Sequence, residues 1–489
     1  MIQDDEFEVL VTCPERAREL GFKPQMEIVT NRLLPYASEL DEESKIFLEQ
    51  VKTNLGRAVL LREMKPGCGV WSSRLMKFIR IYGMKFSKED HIAFIKLAYE
   101  LALVPDLEPC KVHKLATLFL MLTKKRHLIS PEELTLPWRP LYELGKKIFD
   151  KSATHIGMYH YNTLKPSCPQ GQGSANMLDL VRKFLSGDGL EDAMHLLGMA
   201  GPSEDELPTS LEGSYMSMVK SARPYFELSA TKEILAEFLP QVCPWSNDTQ
   251  TLVHLAVFLP VALRPQHAEH GHLLWFDELM TLWDTCYNAQ CGVSDVMTIF
   301  AGLAKRNPGA VDWTPHVPKM FMRFLHALNL PVSYKDMQFS KNYSLYTKHI
   351  AAWIVWSIRP DGVVLGHLRS FLAGVESYLH SANQGRWSFK LRDLLRKLAR
   401  EFLVRVRRER EKRFKKSWEN QTPEEYKLRD EDITELVNIL LEPTLAGLYS
   451  RTGSLDISSA LHDLATLRPA AVVPPLVEKL QVALTSLTG

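Results

Sequence analysis

The sequence predicts an all-α fold, a solenoid of stacked helical repeats, and three observations carry that prediction. A proline-opened amphipathic unit recurs, helix-start signals follow one another along the chain, and sustained apolar/polar alternation bounded by hairpin turns is missing. The clearest unit runs from Asp312 to Pro331. Pro315 and Pro318 preset the backbone of a first turn, where a missing amide does no harm. Val317, Phe321, Phe324 and Leu328 then recur at i, i+4, i+7 and i+11, one apolar stripe on a helix that Pro331 ends. Similar openings occur at Leu136-Pro-Trp-Arg-Pro-Leu-Tyr142 and at Arg468-Pro-Ala-Ala-Val-Val-Pro-Pro475. A unit this short cannot bury its stripe alone, so neighbouring units must cover it.

The remaining elements follow in order. An acidic start, Asp41-Glu-Glu-Ser-Lys45, leads to Ile46, Val51 and Leu55 on one face, ending before Gly56. Ser87-Lys-Glu-Asp90 resembles a capping box, opening a helix that carries Phe94, Leu97, Ala98 and Leu101 and ends at Pro105. Val112, Leu115, Phe119 and Leu122 form the next stripe. Ser130-Pro-Glu-Glu133 and Thr422-Pro-Glu-Glu425 each place an N-cap hydroxyl, a proline at N1 and a glutamate at N3, so both predict helix starts. The helix pairs follow at roughly the 40–47-residue period of HEAT/armadillo-like repeats. Between Asn162 and Gly213 the pattern breaks into glycines and prolines, read as a partly disordered insertion. The expected organisation is therefore helical repeats over 1–161, the insertion over 162–213, and the same solenoid resuming over 214–489, with regular helices after Pro224. Trp275, Trp283, Trp353 and Trp356 are expected in its core, because large aromatics fill such interiors.

Composition excludes several classes of function. The 489 residues carry 59 Lys and Arg against 58 Asp and Glu, and a net charge of +1 gives the chain no general pull toward nucleic acid or membrane. Seven scattered cysteines without a Cys-x-x-Cys pair predict reduced thiols and an intracellular setting. Leu252–Leu263, the longest apolar run, is too short to span a bilayer. No Gly-x-Ser-x-Gly, P-loop, dinucleotide or His-Glu-x-x-His signature occurs, so no catalytic residues are assigned. His267-Ala-Glu-His270-Gly-His272 has metal-ligand residue types but lacks a second ligand group at defined spacing, and a solvated loop is the favoured reading. Cys286 and Cys291 are expected on a core helix face.

One charge feature stands out. Between Lys390 and Lys416 lie 13 Lys or Arg and four acids, a local charge of +9 that leaves −8 for the rest of the chain. Leu391, Leu394, Leu395, Leu398, Phe402 and Val406 give this stretch one apolar face. A docked helix with a solvated basic face is the plainer reading. The functional alternative is a polyanion or partner surface built by Arg396, Lys397, Arg400, Arg405, Arg407, Arg408, Arg410, Lys412 and Arg413. Aromatics for base stacking are few, so direct nucleic-acid binding is not expected.

Several strings go further. Asn31-Arg-Leu-Leu-Pro-Tyr36, Asn54-Leu-Gly-Arg-Ala-Val59, Phe86-Ser-Lys-Glu-Asp-His91, Leu136–Tyr142, Leu274-Trp-Phe-Asp-Glu-Leu279, Leu328-Asn-Leu-Pro-Val332, Gly385-Arg-Trp387 and Thr452-Gly-Ser-Leu455 resemble, in the same order, the large HEAT-repeat proteasome activators, the family of proteasome activator complex subunit 4. The resemblance covers nearly the whole chain outside 162–213. It implies a non-catalytic, monomeric solenoid that caps the alpha ring of the core proteasome. Such a protein promotes ATP-independent degradation of peptides and acetylated histones in nucleus and cytoplasm, with roles in DNA repair and spermatogenesis. Inositol phosphate is the ligand it implies; no other cofactor or metal is expected. The family docks through a C-terminal hydrophobic-Tyr-x tail, whereas this chain ends Leu487-Thr488-Gly489, so it is expected to match the family's N-terminal part or a short form. The competing expectation is a solenoid adaptor that binds histones or other cargo without the proteasome.

Overall fold

The computed structural model describes residues 36–105, 107–125, 128–148, 207–242, 249–261, 265–285, 293–328, 330, 347–379, 386–411, 422–449 and 454–487. The chain folds as two compact units, Met1–Glu227 and Leu228–Gly489. Among the described residues the secondary structure is helical apart from one isolated parallel bridge between Leu136 and Phe226.

The first unit contains α1 (Ala37–Leu60), α2 (Gly69–Tyr82), α3 (Lys88–Ala102), α4 (Pro109–Thr123), a helical segment over 138–148, and α5 (Leu207–Ala222). α1 packs on α2, α2 and α3 on α4, and α4 on α5. Leu48, Val51 and Leu55 face inward from α1, whereas Ile46 is exposed and Gly56 lies within the helix. A Cβ on Gly56 would meet open space, so no packing pressure ends the helix there. Val112, Leu115, Phe119 and Leu122 are buried along α4 as their spacing predicts. Ser87 caps α3 by accepting from the Asp90 amide at 3.1 Å, a contact worth about 1 kcal/mol.

Two predicted starts open something shorter. The Ser130 amide donates to Glu133 and the Glu133 amide to the Ser130 carbonyl, yet residues 131–133 form only a turn. Leu136 then donates to the Tyr225 carbonyl at 2.7 Å, and the helix begins only after Pro137. This tertiary bridge overrides the local start signal. Near Thr422 the chain makes a 3-10 turn, Glu424–Tyr426, and α14 (Asp430–Ala446) is opened instead by the Arg429 amide donating to Asp432. Most of the 162–213 insertion lies outside the described residues. Its end does not: α5 already begins at Leu207, with Pro208 tolerated in the first turn, so regular helix precedes Pro224.

The second unit contains α6 (Ala230–Phe238), α7 (Thr249–Phe258), α8 (Phe276–Thr285), α9 (Val293–Arg306), α10 (Val317–Leu328), α11 (Thr347–Ser357), α12 (Val364–Leu379), α13 (Arg386–Arg410), α14, α15 (Ser454–Leu467) and α16 (Pro469–Leu487). One row runs α7, α9, α11, α13, α15, each packed on the next; a second row runs α10, α12, α14 with α16 after it. Such double rows are the arrangement of HEAT-type solenoids. The first-row helices from α9 start 54, 39 and 68 residues apart, so the period is looser than 40–47. Trp275, Trp283, Trp353 and Trp356 are all buried, and Trp313 meets Trp353 edge-on at 5.5 Å. Val317, Phe321, Phe324 and Leu328 are buried on α10, entered through the 3-10 turn Thr314–His316.

Candidate polyanion and partner surface

α13 places its apolar face as the sequence predicts, with Leu391, Leu394, Leu395, Leu398 and Phe402 at 0–1% exposure. Its basic residues divide into two groups. Arg405 and Arg408 are buried, so they belong to the interior and not to a ligand-facing surface. Arg405 donates to the Val355 carbonyl at 2.5 Å, the Ile358 carbonyl at 2.8 Å and the Tyr426 carbonyl at 2.8 Å. Its Nε donates to Glu409 at 2.7 Å, and Glu409 in turn accepts from the Leu428 amide. Burial pulls the guanidinium below its ordinary value, and Glu409 opposes that shift.

These contacts follow from what helix ends lack. The last carbonyls of a helix have no intrahelical donor, and the dipole there favours a cation. Arginine's planar fork spreads five donors over three nitrogens, so it can serve several separated carbonyls together. Arg405 caps the end of α11. Arg408 donates to the Lys305 carbonyl at the end of α9 at 2.6 Å and lies 4.4 Å over the Trp356 ring. Arg323 repeats the device from α10, donating to the carbonyls of Trp283 and Asp284 at the end of α8 while stacking 4.0 Å over Trp283. Sequence reading missed Arg323, which lacks a basic run around it. Arginine at an otherwise apolar helical position was the available signal.

The other predicted residues face carboxylates. Arg396 pairs with Asp393 at 2.5 Å and with Asp456 at 2.8 Å, and Lys397 pairs with Asp393 at 2.6 Å. Burial raises the Asp393 carboxyl, but hydrogen bonds from Lys397, Thr347 and Arg396 outweigh it and hold the group below its ordinary value. Arg400 reaches Asp463, Arg407 reaches Glu411, and Arg410 reaches Asp430 at 3.1 Å. Asp430 also receives Arg468, whose hydrogen bond is the main reason its carboxyl titrates low. Asp430 of α14 and Asp456 and Asp463 of α15 therefore offset part of the +9 run. Arg400, Arg407 and Arg410 keep 61%, 45% and 46% of their side chains exposed. At i, i+7 and i+10 they share one helix face. Lys412 and Arg413 lie outside the described residues.

The histidine cluster separates. His272 is buried against the Ala310 main chain, and burial lowers its basicity, while His270 is exposed. Among the described residues no group of three or more His, Cys, Asp or Glu could hold a metal ion, and no helix is long and apolar enough to cross a membrane. Cys286 and Cys291 lie outside the described residues.

Comparison with known sequences supplies the family. A family model described as the mid HEAT repeats region of proteasome activator complex subunit 4 matches residues 368–489. The chain is 39% identical over 480 residues to the Xenopus laevis protein named proteasome activator complex subunit 4, covering 97% of this chain and 24% of that protein. It is 38% identical over 474 residues to the Homo sapiens protein of the same name, covering 96% and 23%. An Arabidopsis thaliana proteasome activator subunit 4 is 25% identical over 377 residues, covering 71% of this chain and 20% of that protein. The chain thus spans about a quarter of the length of the curated relatives it matches.

Proposed function

We propose that this chain, whose sequence belongs to the proteasome activator complex subunit 4 family, forms part of the helical-repeat wall of a non-catalytic proteasome activator. The observation that carries the reading is similarity along 97% of the chain to a protein bearing that name. The double row of stacked helices supports it, because such a wall needs a repeat interior. In this reading the partner is the alpha ring of the core proteasome, and the products come from ATP-independent degradation of peptides and acetylated histones. The chain acts as a monomer in nucleus and cytoplasm. Arg400, Arg407 and Arg410 form the surface for an inositol phosphate, extended by Arg396 and Lys397.

The test is co-sedimentation of the 489-residue chain with purified core proteasome, with fluorogenic peptide hydrolysis read in the same fractions without ATP. Co-migration with raised hydrolysis is expected. A chain that stays out of the core-particle fractions but retains histones on a column would replace this reading with the adaptor.

A further inference from the structure

In the first unit, the outer face of α2 carries positive charge that the fold leaves uncompensated. Between Glu63 and Glu89 the sequence holds six Lys or Arg and no acid. Three of the six receive carboxylates from other elements: Lys65 pairs with Glu108 at 2.8 Å, Lys85 with Asp41 at 2.6 Å, and Lys88 with Glu133. The other three, Arg74, Lys77 and Arg80, lie on α2, are exposed, and meet no carboxylate among the described residues. The exposed arginines of α13 differ, since Arg400, Arg407 and Arg410 each reach an acid.

Aliphatic side chains frame these cations. Leu75, Phe78 and Tyr82 bury the inner face of α2, yet Val70 and Ile81 on the outer face remain 44% and 48% exposed. Val70, Arg74, Lys77 and Ile81 recur at i, i+4, i+7 and i+11, the spacing of a seam along which two helices pair. The seam is about 16 Å long, aliphatic at both ends and cationic in the middle, with Arg80 one turn beyond Lys77. The Arg74 guanidinium stacks 4.7 Å over the Trp71 ring. Stacking fixes the side chain before any partner arrives and leaves its in-plane N–H donors for an acceptor. A bilayer needs a continuous apolar face, and here cations part the two aliphatic groups. Single-stranded nucleic acid needs free rings for stacking, and Trp71 already carries Arg74. Carboxylates on a second helix, flanked by aliphatic residues at matching spacing, complement both the charge and the apolar ends.

We propose that the outer face of α2 docks an acidic amphipathic helix of a partner protein. Its carboxylates meet Arg74, Lys77 and Arg80, and its aliphatic side chains meet Val70 and Ile81.

The test is fluorescence anisotropy of the full chain with a labelled helical peptide on an alanine–glutamine background, carrying Leu, Glu, Glu and Leu at the spacing of the α2 seam. One twin peptide has Gln for both Glu. A second keeps the composition but moves the Glu residues to the opposite helix face. Saturable binding of the first peptide is expected, with both twins weaker by at least about tenfold. Changing Arg74, Lys77 and Arg80 together to Gln should weaken binding by a similar factor, and raising the salt from about 0.05 M to about 0.5 M should also weaken it. Lys77→Glu with Arg80→Glu leaves the Arg74–Trp71 stack in place. That variant should lose the acidic peptide and bind its lysine counterpart, a reversal that a folding defect cannot produce. Changing Arg400, Arg407 and Arg410 to Gln should leave binding as it is. No saturable binding, equal binding of either twin, or an affinity that survives the charge reversal would each overturn the proposal. So would an equal loss in the α13 variant, or a short oligothymidylate that binds α2 as tightly as the acidic peptide.

Discussion

The Arg405 guanidinium donates to the Ile358 carbonyl at 2.8 Å across 47 residues of chain. Together with its bonds to Val355, Tyr426 and Glu409, it ties α13 to the end of α11 and to the turn before α14. Arg405→Met fills similar space but leaves Glu409 buried without its cation and strips donors from three carbonyls. Breaking a buried pair on one side costs about 3–5 kcal/mol. Urea unfolding followed by tryptophan fluorescence should show a loss of that size. Arg405→Lys should lose nearly as much, since a point charge cannot span the same acceptors. A loss below about 1 kcal/mol would mean that the carbonyls find other donors.

Arg400, Arg407 and Arg410 behave differently, being largely exposed and only loosely paired. Replacing all three by Gln should cost no more than about 1 kcal/mol for each exposed pair, with Arg400 the costliest because its partner Asp463 is buried. If this face holds an inositol phosphate, the same triple variant should lose the thermal stabilisation that phytate gives the parent chain. Phytate stabilisation that survives the triple change would remove the face from consideration.

The contrast between these two sets explains how much was legible in the sequence. The leucine spacing of α13 and the stripes of α4 and α10 were readable because period 3.6 is a local property. So were the buried tryptophans. Which arginines turn inward was not readable, because Arg405 and Arg407 are both cations beside apolar neighbours. Only the ends of α9 and α11, brought alongside by tertiary packing, decide that Arg405 and Arg408 cap carbonyls while Arg407 stays half-exposed beside Glu411. The same reason accounts for Ser130-Pro-Glu-Glu133. Its reciprocal hydrogen bonds form as the sequence predicts, but the Leu136–Tyr225 bridge, spanning nearly ninety residues, straightens the chain after it.

Gly145 shows a second constraint that sequence alone hides. A Cβ there would fall 2.1 Å from the Tyr215 hydroxyl oxygen, which donates to the Leu141 carbonyl at 2.9 Å in a buried setting. Alanine normally strengthens a helix relative to glycine by about 1 kcal/mol. At this position the steric overlap reverses the sign, and Gly145→Ala is expected to destabilise by about 1–3 kcal/mol. Adding Tyr215→Phe removes the clashing oxygen and should recover part of the loss. A Gly145→Ala chain that melts higher than the parent would contradict the packing described for this helix.

The last prediction concerns pH. His91 on α3 is buried, and its Nε2 lies 2.8 Å from the Leu122 carbonyl with the Phe86 ring 5.3 Å away. Burial lowers its basicity below the ordinary value of 6.5, and the Leu122 carbonyl only partly offsets this. The unfolded chain then binds a proton at a pH where the folded chain does not. Stability must therefore rise with pH through that window: the contribution is complete above the ordinary histidine value and is lost as pH falls below it. His272 in the second unit shifts the same way, for the same reason. The unfolding free energy from urea titration should accordingly drop between pH 7.5 and pH 5.5, by no more than about 1.4 kcal/mol per pH unit for each histidine. His91→Gln keeps a donor for Leu122 but cannot titrate, so the first unit's share of the drop should shrink. An unchanged pH dependence in that variant would show that His91 protonates in the folded chain as readily as in the unfolded one.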